Sequence, residues 1–152
     1  MRPLCVALVL STVLAAPSLA GDISPQANRE LLAANAKKPG VTVLPSGLQY
    51  RVIKSGNGAV PATDDVVTVM YKGTRVDGFI FDQTKPGETR DLPVNKVIPG
   101  WTEALSMMKE GDEWEIVVPA KLAYGEERST NDLWGQALTF DMQLITVKHA
   151  KR

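Results

Sequence analysis

The chain has 152 residues, 44% of them hydrophobic and 22% charged, the composition of one globular domain and not of a disordered or collagen-like polymer. Seventeen basic residues balance 17 acidic ones, so no long-range positive field gathers nucleic acid or anionic lipid. With one histidine and one cysteine, zinc sites, cysteine nucleophiles and histidine-based triads lack their usual side chains, and no metal or cofactor is expected.

Residues 1–20 carry Arg2, an apolar run over 4–14 and the small residues Ser18 and Ala20 flanking Leu19, the features of a cleaved secretory signal peptide. The run is shorter than the roughly 20 residues that span a bilayer, and Pro17 interrupts it, so a transmembrane helix is the weaker reading. Cys5 lies in this segment without a small-residue lipobox before it; cleavage would leave a chain with no thiol. Ser24-Pro25 supplies an N-cap and first helical residue for a short helix carrying Leu31, Leu32, Ala34 and Asn35, which Lys37-Lys38-Pro39-Gly40 stops. Such a helix is marginal in water unless something packs on it, so 21–43 is expected to be a mobile arm and linker, with a partner-binding helix as the alternative.

Leu48, Tyr50 and Val52 alternate with Gln49, Arg51 and Ile53 as a strand that exits at Ser55-Gly56-Asn57-Gly58. Residues 66–71 are apolar on both faces, the pattern of a central strand. Asp77-Gly78 favours a tight hairpin, after which Phe79 and Phe81 share a face. The Pro- and Gly-containing stretch 85–91 reads as loop or edge strand. From Pro99 the period changes: Trp101, Ala104, Leu105 and Met108 follow helical spacing, with Gly111 as the expected C-terminal cap. Period two returns over 113–119, with Trp114, Ile116 and Val118 on one side, and over 137–147, with Leu138, Phe140, Met142 and Leu144 inward. The expectation is an α+β domain, a mainly antiparallel sheet wrapped on one short amphipathic helix, with a short N-terminal helix before it. His149 belongs to a basic tail, 149–152, expected to be a solvated end.

Tyr71, Phe79, Phe81, Trp101, Tyr124, Trp134 and Phe140 come from separate elements and are candidates for one concave apolar pocket; the alternative is that they are simply core. Asp82 directly follows Phe81. An ionised carboxylate beside an aromatic wall needs hydrogen-bond partners, and capping a surface turn at Gln83-Thr84 is its alternative role. Gly125, in Ala123-Tyr124-Gly125, would let a loop approach a ligand closely.

Val97-Ile98-Pro99-Gly100-Trp101-Thr102-Glu103-Ala104-Leu105, with Tyr71 and then Phe81-Asp82 upstream and Ala123-Tyr124-Gly125 and Leu138-Thr139-Phe140 downstream, resembles the FKBP-type peptidyl-prolyl cis-trans isomerases over about residues 44–147. Leu44-Pro45-Ser46-Gly47-Leu48-Gln49-Tyr50 is similar to the secreted bacterial branch related to macrophage infectivity potentiators, in which a long N-terminal helical region forms the dimer. The resemblance implies a bent sheet around a short helix, an isomerase domain over 44–148, and catalysis of rotation about X-Pro bonds without a cofactor. It implies that Trp101 floors the proline site, that Tyr71, Phe81 and Phe140 wall it and that Val97 lines its rim. The Ile98 N–H and the Tyr124 hydroxyl would bond peptide carbonyls, and Asp82 would stand near the reacting amide. Implied partners are proline-containing exported polypeptides and macrolide inhibitors. The implied location is periplasmic or secreted, and the implied state a monomer or a weak dimer through the N-terminal helix. Two departures stand out. Leu92 occupies a position where many members carry an aromatic, and 129–136 replaces the family's Ile-Pro-Pro loop, leaving Leu133 or Trp134 to supply the missing apolar contact. A proline-peptide or unfolded-chain binding module with little or no catalysis is the alternative function.

Overall fold

The computed structural model describes residues 21–151; the expected signal peptide, 1–20, lies outside the described residues. Two α-helices and seven strands follow the order α1 (Pro25–Ala36), β1 (Thr42–Val43), β2 (Gln49–Lys54), β3 (Val66–Thr74), β4 (Ile80–Gln83), β5 (Arg90–Pro93), α2 (Pro99–Leu105), β6 (Glu113–Val118), β7 (Leu138–Lys148). The strands form one antiparallel sheet in the order β1-β2-β6-β7-β3-β4. β5 shares the outer edge of β3 with β4: β4 pairs with Lys72–Thr74 and β5 with Val66–Val69. The expected α+β architecture is therefore present, and the run at 66–71 is central as its two-sided apolar pattern requires.

The core lies between one face of the sheet and α2. Val67, Val69 and Tyr71 of β3, Trp114, Ile116 and Val118 of β6, and Leu138, Phe140, Met142 and Leu144 of β7 pack with Trp101, Ala104 and Leu105 of α2. Gly100 lets the helix approach: a Cβ there would stand 2.5 Å from Val118 Cγ1. The helix is shorter than its spacing suggests. It ends at Leu105 with Ser106 as C-cap, and Gly111, the expected cap, instead sits in the following turn at φ +94° and donates its N–H to Leu144 O at 2.8 Å. Met108 is nonetheless fully buried. Strand phase also slips in two places. A bulge in the β3–β7 register leaves Ile145 exposed and buries Val147, and one in the β2–β6 register accompanies the exposure of Val52 and Ile53.

The N-terminal segment is not the expected mobile arm. Ser24 caps α1 by accepting from Ala27 N–H, and the helix docks on the sheet face opposite α2 through polar side chains. Asn28 Oδ1 accepts from Ala137 N–H at 2.8 Å, and its amide donates to Gln136 Oε1 at 3.3 Å. Further along, Asn35 donates to Gln49 Oε1 at 2.8 Å, and Gln49 donates to Leu32 O at 2.9 Å. All four of these side chains are buried. Their hydrogen bonds are mutual, which removes the desolvation cost that would otherwise oppose docking. Val117, opposite Gln49 in the ladder, is buried on the same face.

The tail is held as well. Asp65, buried at the start of β3, accepts from Ala150 N–H at 2.9 Å and lies 2.9 Å from His149 Nδ1. His149 itself remains largely exposed, as a chain end should, but it is tethered and not free.

Candidate functional site

The aromatic cleft is assembled where β3 meets its divided edge. Between the β4 and β5 pairings, Thr84 completes the ladder with both its groups: its N–H donates to Tyr71 O at 2.9 Å, and its hydroxyl accepts from Tyr71 N–H at 3.1 Å. This junction carries Phe81 and Asp82 back over β3. Gly73 leaves the room they need, because a Cβ there would meet Phe81 Cζ at 2.6 Å and Phe140 Cε1 at 2.9 Å. The hairpin before β4 turns at Gly78, with φ +81°, as Asp77-Gly78 predicts.

Four rings meet edge to face. Trp101 contacts Tyr71 at 5.0 Å and 88° and Phe140 at 5.3 Å and 83°, and Phe81 contacts Phe140 at 5.6 Å and 87°. These are the arrangements ring quadrupoles favour. Together with Leu92, Lys96, Val97, Ile98, Asp82 and Tyr124 they enclose a cleft of about 380 Å³. All eight residues expected at the site, Tyr71, Phe81, Asp82, Val97, Ile98, Trp101, Tyr124 and Phe140, thus line one cavity. The buried Trp101 Nε1 has no hydrogen-bond partner among the described residues.

Asp82 is no turn cap. Its Oδ2 accepts from the Tyr71 hydroxyl and, at 3.1 Å, from Arg90 Nη1; Arg90 also donates to the Tyr71 oxygen and lies over that ring at 5.4 Å. A carboxylate beside an aromatic wall is supplied here with the partners its charge requires. Burial, reinforced by the hydrogen bond to Asp82 and its charge, raises the ionisation of the Tyr71 phenol above its ordinary range. Burial and the Asp82 charge raise that of Tyr124 too, so both phenols stay protonated and able to donate. The Tyr124 hydroxyl has no protein partner among the described residues, which leaves it available to a ligand.

Ile98 is the N-cap of α2. Its carbonyl accepts from Trp101 and Thr102 N–H at 2.9 and 3.2 Å, while its own N–H lies outside the helical ladder. Tyr124 stands on a loop pinned by Gly125 N–H to Ala120 O at 2.9 Å and by Gly135 N–H to Gly125 O at 2.7 Å.

Two of the seven candidate pocket aromatics are elsewhere. Phe79 is exposed, with Arg75 4.6 Å above its ring, and does not share the cleft with Phe81. Trp134 lines a different cleft of about 510 Å³, beside Ile23, Leu32 and Pro119 under α1. Neither it nor Leu133, which packs on the core, replaces the family's missing loop contact in the aromatic cleft. Although larger, the α1 cleft has two of its polar side chains, Asn28 and Gln136, already bonded to one another. Arg90 and Lys96 are the residues sequence reasoning missed. Arg90 comes within reach only through the pairing of β5 with β3, which no local spacing reveals.

Comparison with known proteins agrees with this geometry. The family described as FKBP-type peptidyl-prolyl cis-trans isomerase matches residues 58–145, and the domain amino-terminal to such isomerases matches 20–52. The outer membrane protein MIP of Legionella longbeachae is 52% identical over 122 residues, 78% of this chain and 52% of that protein. The peptidyl-prolyl cis-trans isomerase Mip of Coxiella burnetii is 46% identical over 123 residues, 80% of this chain and 54% of that protein. The chain thus spans about half the length of these curated relatives. Among solved structures, FkpA from Escherichia coli superposes with a TM-score of 0.78 at 38% identity, covering 87% of this chain and 62% of that one. A peptidyl-prolyl cis-trans isomerase from Pseudomonas syringae gives 0.74 at 35% identity, covering 89% and 98%. Sequence, fold and cleft agree, and the chain belongs to the FKBP-type peptidyl-prolyl cis-trans isomerase family.

Proposed function

We propose that this protein is a peptidyl-prolyl cis-trans isomerase acting on proline-containing exported polypeptides, with residues 44–148 as its isomerase domain. The observation that carries this reading is the convergence of Tyr71, Phe81, Trp101, Tyr124 and Phe140 on one cleft. X-Pro rotation breaks no bond. Resonance gives the amide C–N bond a barrier of roughly 18–20 kcal/mol, and catalysis requires only that the twisted amide be held better than either planar form. The planar amide is the more dipolar state, so an aromatic cleft that excludes water favours the twisted one.

In this reading the proline ring sits on Trp101 between Tyr71, Phe81 and Phe140. The Ile98 N–H and the Tyr124 hydroxyl hold peptide carbonyls, and Val97 closes the rim. Asp82, hydrogen-bonded by Arg90 and Tyr71, acts electrostatically on the twisting amide and not as a base. The same walls would seat a macrolide inhibitor. The docked face of α1 is occupied by its own domain, which supports a monomer. Among the described residues no helix is long and apolar enough to cross a membrane. The secretory character of 1–20 supports a protein exported to the periplasm or beyond it.

The test is cis-to-trans conversion of a Leu-Pro peptide by the chain lacking 1–20, repeated with Trp101→Leu and Tyr124→Phe. Acceleration by the parent and at least about a tenfold fall in kcat/KM with Trp101→Leu are expected, since the variant loses the floor of the cleft. The altered 129–136 loop favours one rival, a binder without turnover. Peptide affinity with an unchanged spontaneous rate would establish that rival instead.

A further inference from the structure

The cleft contributes one charge that the isomerase reading leaves unused. Of the charged side chains lining it, Asp82 is ion-paired with Arg90, whereas Lys96 has no carboxylate within ion-pair distance among the described residues. Lys96 is exposed and ends a short 3-10 turn, Val94–Lys96, two positions before Ile98. That turn is anchored: Val94 is buried, its N–H donates to Asp65 O at 3.0 Å, and its carbonyl accepts from Thr102 Oγ1 at 2.7 Å. The backbone presenting the ammonium group is therefore fixed relative to the floor at Trp101, although the side chain itself is free to reach. Counting Asp82, Arg90 and Lys96 together, the mouth of an otherwise apolar cleft carries an uncompensated positive charge.

We infer that Lys96 is a specificity-determining residue that favours substrates with an acidic side chain within two positions of the proline. The inference rests on the isomerase reading for where the proline lies. A peptide whose ring occupies the floor and whose carbonyl reaches Ile98 runs past Lys96 within one or two residues of the proline, because Lys96 and Ile98 are themselves only two residues apart. A glutamate there meets an unpaired cation. A lysine there meets like charge. The effect is modest, because both partners are solvated: exposed pairs of this kind correspond to about two- to fivefold in affinity, and they are screened by salt.

The test uses acetyl- and amide-capped peptides with one proline and glutamate, leucine or lysine placed in turn at the second and first positions before it and the first and second after it. Isomerisation by exchange spectroscopy and Kd by calorimetry are measured at low salt and at 0.5 M salt, for the parent and for Lys96→Glu. At one or more positions the glutamate peptide should be favoured over the lysine peptide by at least about threefold at low salt. This ratio should approach one in high salt and invert in Lys96→Glu. A ratio that Lys96→Glu leaves unchanged, or that salt does not move, overturns the inference. The two readings fail separately. If no leucine peptide is isomerised faster than in buffer, catalysis is excluded while the Kd ratios still decide the charge preference. If no peptide binds at all, both are wrong.

Discussion

At the residue scale, the decisive feature is that Asp82 Oδ2 receives two donors, the Tyr71 hydroxyl and Arg90 Nη1, from outside its own strand. On the proposed isomerase reading, a carboxylate so held acts through its charge at the cleft. Asp82→Asn keeps the shape and one acceptor while removing that charge. It is expected to lower kcat/KM on a neutral Leu-Pro peptide by about tenfold yet to leave acceleration measurable above buffer, with an unchanged thermal midpoint as the control for folding. Complete loss in a folded variant would make the carboxylate a proton acceptor. Five of the eight expected cleft side chains are legible in the sequence because they lie in short contiguous runs, residues 97–101 and 81–82, whereas Tyr71, Tyr124 and Phe140 come from separate elements. Arg90 is not legible, because strand pairing and not sequence proximity brings it to Tyr71. Trp134 misleads for the opposite reason: its place in the altered loop suggests the cleft, but Gly135 and the turn at Asn131 place its ring under α1.

At the scale of elements, α1 illustrates how docking can rest on polar complementarity. Its hydrophobic pattern is weak, and the residues that decide its fate are Asn28 and Asn35, seven apart and so on one face. Removing Asn28 leaves the buried Ala137 N–H without its acceptor at the start of β7. Asn28→Ala should therefore destabilise the protein by about 1–3 kcal/mol, read as a lowered urea midpoint with faster hydrogen exchange at Ala137. An unchanged midpoint and unchanged exchange would mean that α1 contributes nothing to the domain. The strands were readable from their alternation, and the short buried helix from its switch of period. Asparagines do not register in a hydrophobic pattern, so the docking of α1 was invisible, and a mobile arm was the natural expectation. The end of α2 was misplaced for a related reason. Met108 keeps helical spacing although the helix ends at Leu105, because its N–H still donates to Ala104 O at 3.0 Å, one turn back.

At the scale of the whole molecule, Asp65 ties together three separate parts of the chain. Its carboxylate accepts from Ala62 N–H at 2.8 Å and from Ala150 N–H at 2.9 Å, while its carbonyl accepts from Val94 N–H at 3.0 Å. One buried residue thus joins the entry to the central strand, the turn leading to Val97 and Ile98, and the C-terminal tail. The two backbone donors, aided by His149 after the opposing effect of burial, hold its carboxyl at about 2, below the ordinary value of 3.8. Because the folded value is the depressed one, the carboxylate's contribution to stability is fully present above the unfolded value and is lost as pH falls towards the folded one. Asp65→Asn replaces one acceptor oxygen with an amide that can only donate, facing an N–H that also donates. The variant should melt at a lower temperature than the parent at neutral pH. The gap between the two should hold steady down to about pH 4 and close as pH is lowered further towards 2. Other carboxylates titrate in the same range in both proteins, so the difference between paired melting curves, and not either curve alone, isolates Asp65. A gap that stays constant to pH 2 would assign its role to packing and not to the charge held by the Ala62 and Ala150 N–H donors.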